Sequence, residues 1–434
     1  MSFITQTAWN HRKNIFFFNL QISIIFIKRD IKNLLYYYCQ ITLNKTAVLR
    51  YNNHMRIAIV GGTFSPPHNG HVALALCARD GLNADRVLIM PNAAPPHKFC
   101  GVSKLDRREM TRLAFMDVKK TELDETELFS DGKSYTYETM AKLKALYPND
   151  DLIFVIGGDS LRDFATWRHP DRILKNCRLA VAARRGVDLS DALGKTEKEF
   201  GTEIELLDMP FCDVSSTLVR VNCNFGFDNS AYLPRPVDAY IKEKGLYCDF
   251  KPMVTKLRAL QNRDRFEHTY NVVLAGLEIA RKTNLDESEV FVACLLHDCA
   301  KNIPCSEWRR YGFDNGENLL PPIVHCGLGV KVAERVFGIT DARILDAIRF
   351  HTTCRPEMTQ LDKLVFVADK VELTRNYPEL KENYSLALSD LDAAFLTVLS
   401  QTYRLACKKH GAENVDEMTR RAMNYYFCNT KQEK

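Results

Sequence analysis

The chain has 434 residues, 46% hydrophobic and 26% charged, which is too long for one ordinary core and makes two domains the default. Its formal charge of +5 is an end effect: residues 1–54 carry seven Lys or Arg and one acid, leaving 52 basic against 53 acidic residues from Met55 onward. That balance excludes a charge-driven nucleic-acid or anionic-membrane partner. Fourteen cysteines with no C-x-x-C pair suit reduced thiols, so a cytoplasmic protein is expected.

Residues 1–54 contain no Gly or Pro, and FFFNLQISIIFIKRDIKNLLYYY is dominated by residues with AT-rich codons. Its apolar run is short and is interrupted by Asn19 and Gln21, against a membrane span or a secretory signal. The segment reads as translated upstream sequence, with Met55 the natural start; an interfacial anchor is the alternative.

From Met55 to about residue 248 strands and helices alternate. RIAIV, RVLIMP, LIFVIGG, RLAVAAR and IELLDM read as buried parallel strands, separated by helical stretches such as VALALCARD, LDRREMTRLAFMDV and SYTYETMAKLKALYP. An α/β domain with a parallel sheet follows, with ligands at the carboxyl ends of its strands. Behind the first strand stands GGTFSPPHNGH, residues 61–71. Gly61 and Gly62 let backbone N–H groups approach an anion, and the helix starting near Gly70 points its positive end at the same place. His68 and His71, three apart at that helix start, can both donate to a phosphate. One such histidine alone is an ordinary capping or surface residue; two of them with paired glycines after a strand read as a phosphate site.

GGTFSPPHNGH resembles the signature of the T/HxGH nucleotidyltransferases, specifically the bacterial nicotinate mononucleotide adenylyltransferases. The likeness continues in order through PPHK (95–98), SYTYET (134–139), GGDSLRDFATW (157–167), VSSTLVR (214–220) and YLPRPVDAYIKEKGLY (232–247). The resemblance implies a Rossmann-like domain over 55–248 that joins ATP to nicotinate mononucleotide with Mg²⁺ and releases pyrophosphate, without a protein nucleophile. On this pattern His68, His71, Lys98 and Arg220 serve the phosphates as catalytic residues. Gly61, Gly62, Thr63, Phe64, Thr136, Asp159, Trp167, Ser215 and Ser216 bind substrate, with Trp167 stacking on the pyridine ring and Ser215 and Ser216 capping the helix that carries Arg220. Position 65 departs from the pattern: Ser65 stands where aspartate is expected.

After CDFKPMVT (248–255) strand-like runs vanish and amphipathic helices take over, as in HTYNVVLAGLEIARKT and SEVFVACLLHDCAK. The second domain, 253–430, is expected to be all-α. Its chain order of His268, His297, Asp298, His325, His351 and Asp369 holds four of the five histidines beyond residue 250. His297 and Asp298 end an apolar helix and Asp369 interrupts LVFVADKV, where an ionised carboxylate is costly unless a cation compensates it. Asp369 paired with Arg349 or another cation is the plain alternative. A centre of divalent transition metal, bridged by Asp298, accounts for the whole set.

These residues resemble the HD phosphohydrolases, and RFEHT, LLHDCAK, HCGLGVKVA, AIRFHTTCRPEM and FVADKVELTRNYPEL look like the bacterial YqeK-type group. The resemblance implies symmetrical hydrolysis of diadenosine tetraphosphate to two ADP by a metal pair, iron first, with manganese or cobalt as alternatives. Lys301 would contact a phosphate oxygen. Cys354 replaces an expected glycine after HTT. The expectation is therefore a bifunctional enzyme whose partners are small nucleotides, with no nucleic acid or membrane; homo-oligomers are left open. The competing reading makes the second domain a non-catalytic regulatory module.

Overall fold

The computed structural model describes residues 54–93, 102–130, 134–184, 188–210, 212–316 and 319–428. The extension before His54, and Lys98 with its PPHK motif, lie outside the described residues. The described residues from Arg56 onward belong to one compact unit.

The first half runs β1 (Arg56–Gly62), α1 (Asn69–Gly81), β2 (Arg86–Pro91), α2 (Lys104–Phe115), β3 (Thr121–Leu123), α3 (Thr136–Leu146), β4 (Asp151–Gly157), α4 (Gly158–Asp163), α5 (Pro170–Asn176), β5 (Arg178–Arg184), α6 (Ser190–Phe200), β6 (Ile204–Met209), α7 (Ser216–Phe225) and α8 (Arg235–Lys244). Its six strands are all parallel, in the order β3-β2-β1-β4-β5-β6. The five strands read from apolar runs are present; β3 is a three-residue TEL with no apolar signal of its own. β1 is central, and Ile57, Ala58, Ile59 and Val60 are fully buried, which is why this strand is a continuous apolar run. From β1 the chain winds outward first through β2 and β3, then through β4, β5 and β6. The reversal opens a crevice between the carboxyl ends of β1 and β4.

The second half is helical: α9 (Lys251–Arg258), α10 (Arg263–Ala280), α11 (Glu287–Leu296), α12 (Val324–Phe337), α13 (Ala342–Phe350), α14 (Gln360–Val371), α15 (Leu380–Ser389), α16 (Leu391–His410) and α17 (Glu417–Phe427). Leu295 and Leu296 of α11 and Phe366 and Val367 of α14 are fully buried at its centre.

Helix α7 belongs to both cores. Val219 packs with the sheet residues, whereas Val221 and Phe225 join the core of the helical half. The Phe225 ring lies 5.3 Å from Phe266, 5.2 Å from Tyr270 and 6.4 Å from Phe291. Tyr270 donates to Asn222 at 2.7 Å, so the seam between halves has a polar anchor inside its apolar contact.

Candidate active sites

The first site is a cleft of about 550 Å³ at the β1/β4 crevice, lined by Gly62, Thr63, Phe64, Ser65, His68 and His71 from the opening loop. Gly157, Gly158 and Asp159 come from β4 and α4, and Ser215, Ser216 and Arg220 from α7. The loop is shaped by packing as much as by glycine freedom. Phe64 is buried at φ +48°, and its ring sits where a Cβ on Gly62 would come within 3.2 Å. A Cβ on Gly70 would lie 3.0 Å from the His68 ring, so the glycine of HNGH admits that imidazole. The two imidazoles lie 3.8 Å apart, centroid to centroid. The His68 backbone N–H donates to His71 Nδ1 at 3.2 Å, which assigns the proton of neutral His71 to Nε2. Burial pushes His71 down to about 4, so it is a neutral donor at pH 7.

Arg220 donates to the Ser65 carbonyl at 3.1 Å and to Glu287 of α11 at 2.9 Å. Ser215 caps α7 by accepting from Leu218 N–H at 3.1 Å. Ser216 does not cap; it donates to the Pro66 carbonyl at 2.9 Å and ties the helix start to the loop. Ser65 shares a hydrogen bond of 3.0 Å with the Tyr247 hydroxyl, so the expected aspartate is replaced by a neutral buried link to the end of the first half. Asp159 lies in an exposed ion pair with Arg162 at 2.9 Å.

Gly61, Thr136 and Trp167 are not among the cleft-lining residues. Trp167 packs against Phe164 and Phe154, with centroids 5.5 and 6.2 Å away. Beside it the Arg168 guanidinium stands 4.5 Å over the Tyr135 ring, so the SYTYET and ATW segments adjoin each other. Sequence reading missed Arg107, a buried guanidinium on α2 that donates to the carbonyls of Thr63 at 2.9 Å and Asn92 at 2.8 Å and so fixes the loop. Its only sequence signal is an arginine on the apolar stripe of LDRREMTRLAF.

The second site gathers all six residues read from the helical half. His268 comes from α10, His297 and Asp298 follow α11, His325 opens α12, His351 caps α13 and Asp369 lies on α14. His297 Nε2 is 3.3 Å from His268 Nε2, and His268 Nε2 is 3.1 Å from Asp369 Oδ1. His325 Nε2 is 3.3 Å from His351 Nε2. Asp298 stands between these groups. Its Oδ1 lies 3.2 Å from His325 and 3.4 Å from His351, and its Oδ2 lies 3.6 Å from His297. Far-side contacts orient the rings: His297 Nδ1 lies 2.7 Å from the Cys294 carbonyl, His351 Nδ1 2.7 Å from that of Ile348, and His268 Nδ1 3.2 Å from Glu372. Burial holds His297 down at about 3, which keeps its imidazole neutral.

The donor set fits a metal. His268, His297 and Asp369 form one compact group of ligand atoms, and His325, Cys326 and His351 another. Two nearly buried carboxylates face four imidazoles, a composition suited to divalent transition metals. Asp369 pairs not with Arg349 but with Arg375 at 2.6 Å and Lys370 at 2.5 Å, while Arg265 reaches Asp298 at 2.5 Å. Lys301 Nζ lies 3.1 Å from both ring nitrogens of His325, and burial lowers its pKa. Glu372, Arg265 and Cys326 were missed; each lies within three residues of a candidate ligand. Cys354 takes φ +59° while fully buried, the left-handed turn for which glycine is expected.

A cytidylyltransferase-like family model matches residues 59–222, and an HD-domain model matches 265–374. A protein of Clostridium tetani named "Probable nicotinate-nucleotide adenylyltransferase" is 37% identical over 195 residues, covering 44% of this chain and 98% of that protein. One of the same name from Citrifermentans bemidjiense is 38% identical over 214 residues, covering 45% and 99%. Among solved structures, an HD-superfamily hydrolase of Clostridium acetobutylicum, described as involved in NAD metabolism, is 29% identical with TM-score 0.38, covering 42% of this chain and 98% of that one.

Proposed function

Because the chain belongs to the nicotinate-nucleotide adenylyltransferase family through its first half and carries an HD domain behind it, we propose a bifunctional enzyme. The first site transfers adenylyl from ATP to nicotinate mononucleotide. The second hydrolyses diadenosine tetraphosphate symmetrically to two ADP.

The adenylyl reading is carried by the His68–His71 pair at the positive end of α1 in the β1/β4 crevice. A phosphate oxygen of the mononucleotide attacks the α-phosphorus of ATP, the bond to the α,β-bridging oxygen breaks, and pyrophosphate leaves with that electron pair. His71 Nε2–H and His68 donate to the oxygens on which charge builds, Arg220 holds a phosphate beside them, and Lys98 adds a second cation. Among the described residues the cleft offers Asp159, paired with Arg162, and Glu287, paired with Arg220. Both are already paired, so Mg²⁺ would be held by the ATP phosphates, whose charge it would neutralise. Trp167 and Thr136 serve the mononucleotide end, where their segments meet.

The hydrolase reading is carried by Asp298, whose two oxygens face two separate ligand groups. His268, His297 and Asp369 would hold one divalent ion and His325 and His351 another, with Asp298 between the two groups. Such a pair polarises a phosphate and activates water when bound. Lys301, Arg265 and Arg375 are the nearby cations that neutralise the polyphosphate and stabilise the ADP leaving group.

The test is product analysis on the full, metal-loaded chain. ATP with nicotinate mononucleotide is expected to give deamido-NAD and pyrophosphate. Diadenosine tetraphosphate is expected to give ADP alone. ATP plus AMP as products overturns the symmetrical reading, and binding without cleavage makes the second half a regulatory module.

A further inference from the structure

The adenylyl-transfer cleft is not built by the first half alone. Two of its lining residues, Arg281 and Glu287, belong to the helical half. Arg281 is the residue that ends α10, and Glu287 opens α11.

The three cleft arginines differ in what they face. Arg162 is paired with Asp159, and Arg220 with the buried Glu287. Arg281 is exposed to the cleft, and its guanidinium has no ion pair or hydrogen bond among the described residues. An exposed arginine on an open surface is simply solvated. Here it shares a concave wall with two histidines, the positive end of α1 and the Arg220 side chain, and the family substrate is a triphosphate. His71 is held neutral by burial and supplies a donor without a full charge. The cleft therefore has less positive charge than its histidines suggest, and an uncompensated guanidinium is the group that supplies it.

The placement of Arg281 is also fixed. Helix α10 is pinned to α7 through Tyr270–Asn222 and the Phe225 cluster. Lys282, the next residue, pairs with Asp163 at the end of α4. Arg281 thus stands between two contacts that cross from one half to the other.

We propose that Arg281 is a further phosphate-binding residue of the adenylyl-transfer cleft, supplied by the helical half, so that the cleft is complete only in the two-domain chain. The proposal rests on the adenylyl-transfer reading for its substrate. It goes beyond that reading in giving the HD half a direct part in the first reaction. The guanidinium contacts the β- or γ-phosphate of ATP and, after transfer, the pyrophosphate product.

The experiment uses the full chain, with ATP alone and AMP alone titrated calorimetrically, beside steady-state dinucleotide formation. Arg281→Ala is expected to weaken ATP binding about 10-fold, the usual size of one charge-assisted contact. It should raise KM for ATP with little change in kcat, and leave AMP binding and the thermal midpoint as in the wild type. Arg281→Lys should restore part of the loss. Unchanged ATP affinity in Arg281→Ala overturns the proposal, and so does an equal loss for AMP, which lacks the distal phosphates. Wild-type protein that binds ATP but makes no dinucleotide, together with weakened ATP binding in Arg281→Ala, overturns the adenylyl-transfer reading and leaves the phosphate contact standing.

Discussion

His71 shows how much chemistry one side chain draws from its neighbours. Its Nδ1 accepts from the His68 backbone, its ring meets Phe64 edge-on at 4.9 Å, and burial keeps it neutral, so it acts as a fixed Nε2–H donor. His71→Ala is expected to lower kcat of adenylyl transfer by about 10²-fold or more, as for other lost transition-state donors; near-normal turnover in a rapid-quench assay removes it from the mechanism. The lowered pKa also has a stability consequence. Between pH 6.5 and about 4 the unfolded chain binds a proton at His71 that the folded chain does not, so this residue's contribution falls as pH falls. Urea midpoints should therefore drop further for wild type than for His71→Asn on acidification through that window. Asp298 is the corresponding residue of the second site. Asp298→Ala is expected to lower metal affinity by about 100-fold or more, since residues that merely support a ligand contribute about 10–100-fold. Metal analysis after dialysis checks it, with adenylyl transfer as the internal control.

Among the elements, α7 carries the most consequences per residue. Its second turn, beyond the Ser215 cap, presents Arg220 to the cleft, and its last turn buries Phe225 against Phe266, Tyr270 and Phe291. Phe225→Ala is expected to cost about 3–5 kcal/mol through the cavity it leaves. Because that cavity lies on the seam, the variant should also weaken ATP binding, which scanning calorimetry with a nucleotide titration will show; a stability loss with unaltered ATP affinity means the seam is structural only. Helices α11 and α14 show the opposite logic. They are apolar nearly all round because they are central, and their buried carboxylates stand at special places: Glu287 at the start of α11 pairs with Arg220, Asp298 lies just beyond its end, and Asp362 and Asp369 lie on α14 as a cap residue and a candidate ligand.

At the scale of the whole molecule, the described residues of the two sites lie between Gly62 and Arg375. A chain begun at Met55 is expected to retain both activities and the same thermal midpoint, compared directly with the 434-residue protein. Loss of either activity would give the extension a role that neither motif set accounts for. The halves meet through paired charges and aromatic rings, so the protein is better regarded as two sites on one framework than as two enzymes on a tether.

The fold class, the His68–His71 pair and the cluster of His268, His297, Asp298, His325, His351 and Asp369 were legible in the linear sequence because each rests on local signals. Glycine pairs, a histidine pair at helix spacing and carboxylates inside apolar runs are all visible within about ten residues. The six-strand order, the short β3 and the loop-fixing Arg107 were not, since each depends on partners far away in the chain. The likeness to known adenylyltransferases placed Trp167 and Thr136 with the substrate, but only packing shows that their segments adjoin, through Arg168 and Tyr135, and that neither residue lines the main cleft. Periodicity separated the halves near residue 250, yet no sequence pattern marks α7 as shared or sends Glu287 to Arg220 across 67 positions. Local chemistry is written in neighbouring residues, whereas the pairing of distant side chains is decided only when burial of Val221 and Phe225 brings the two cores together.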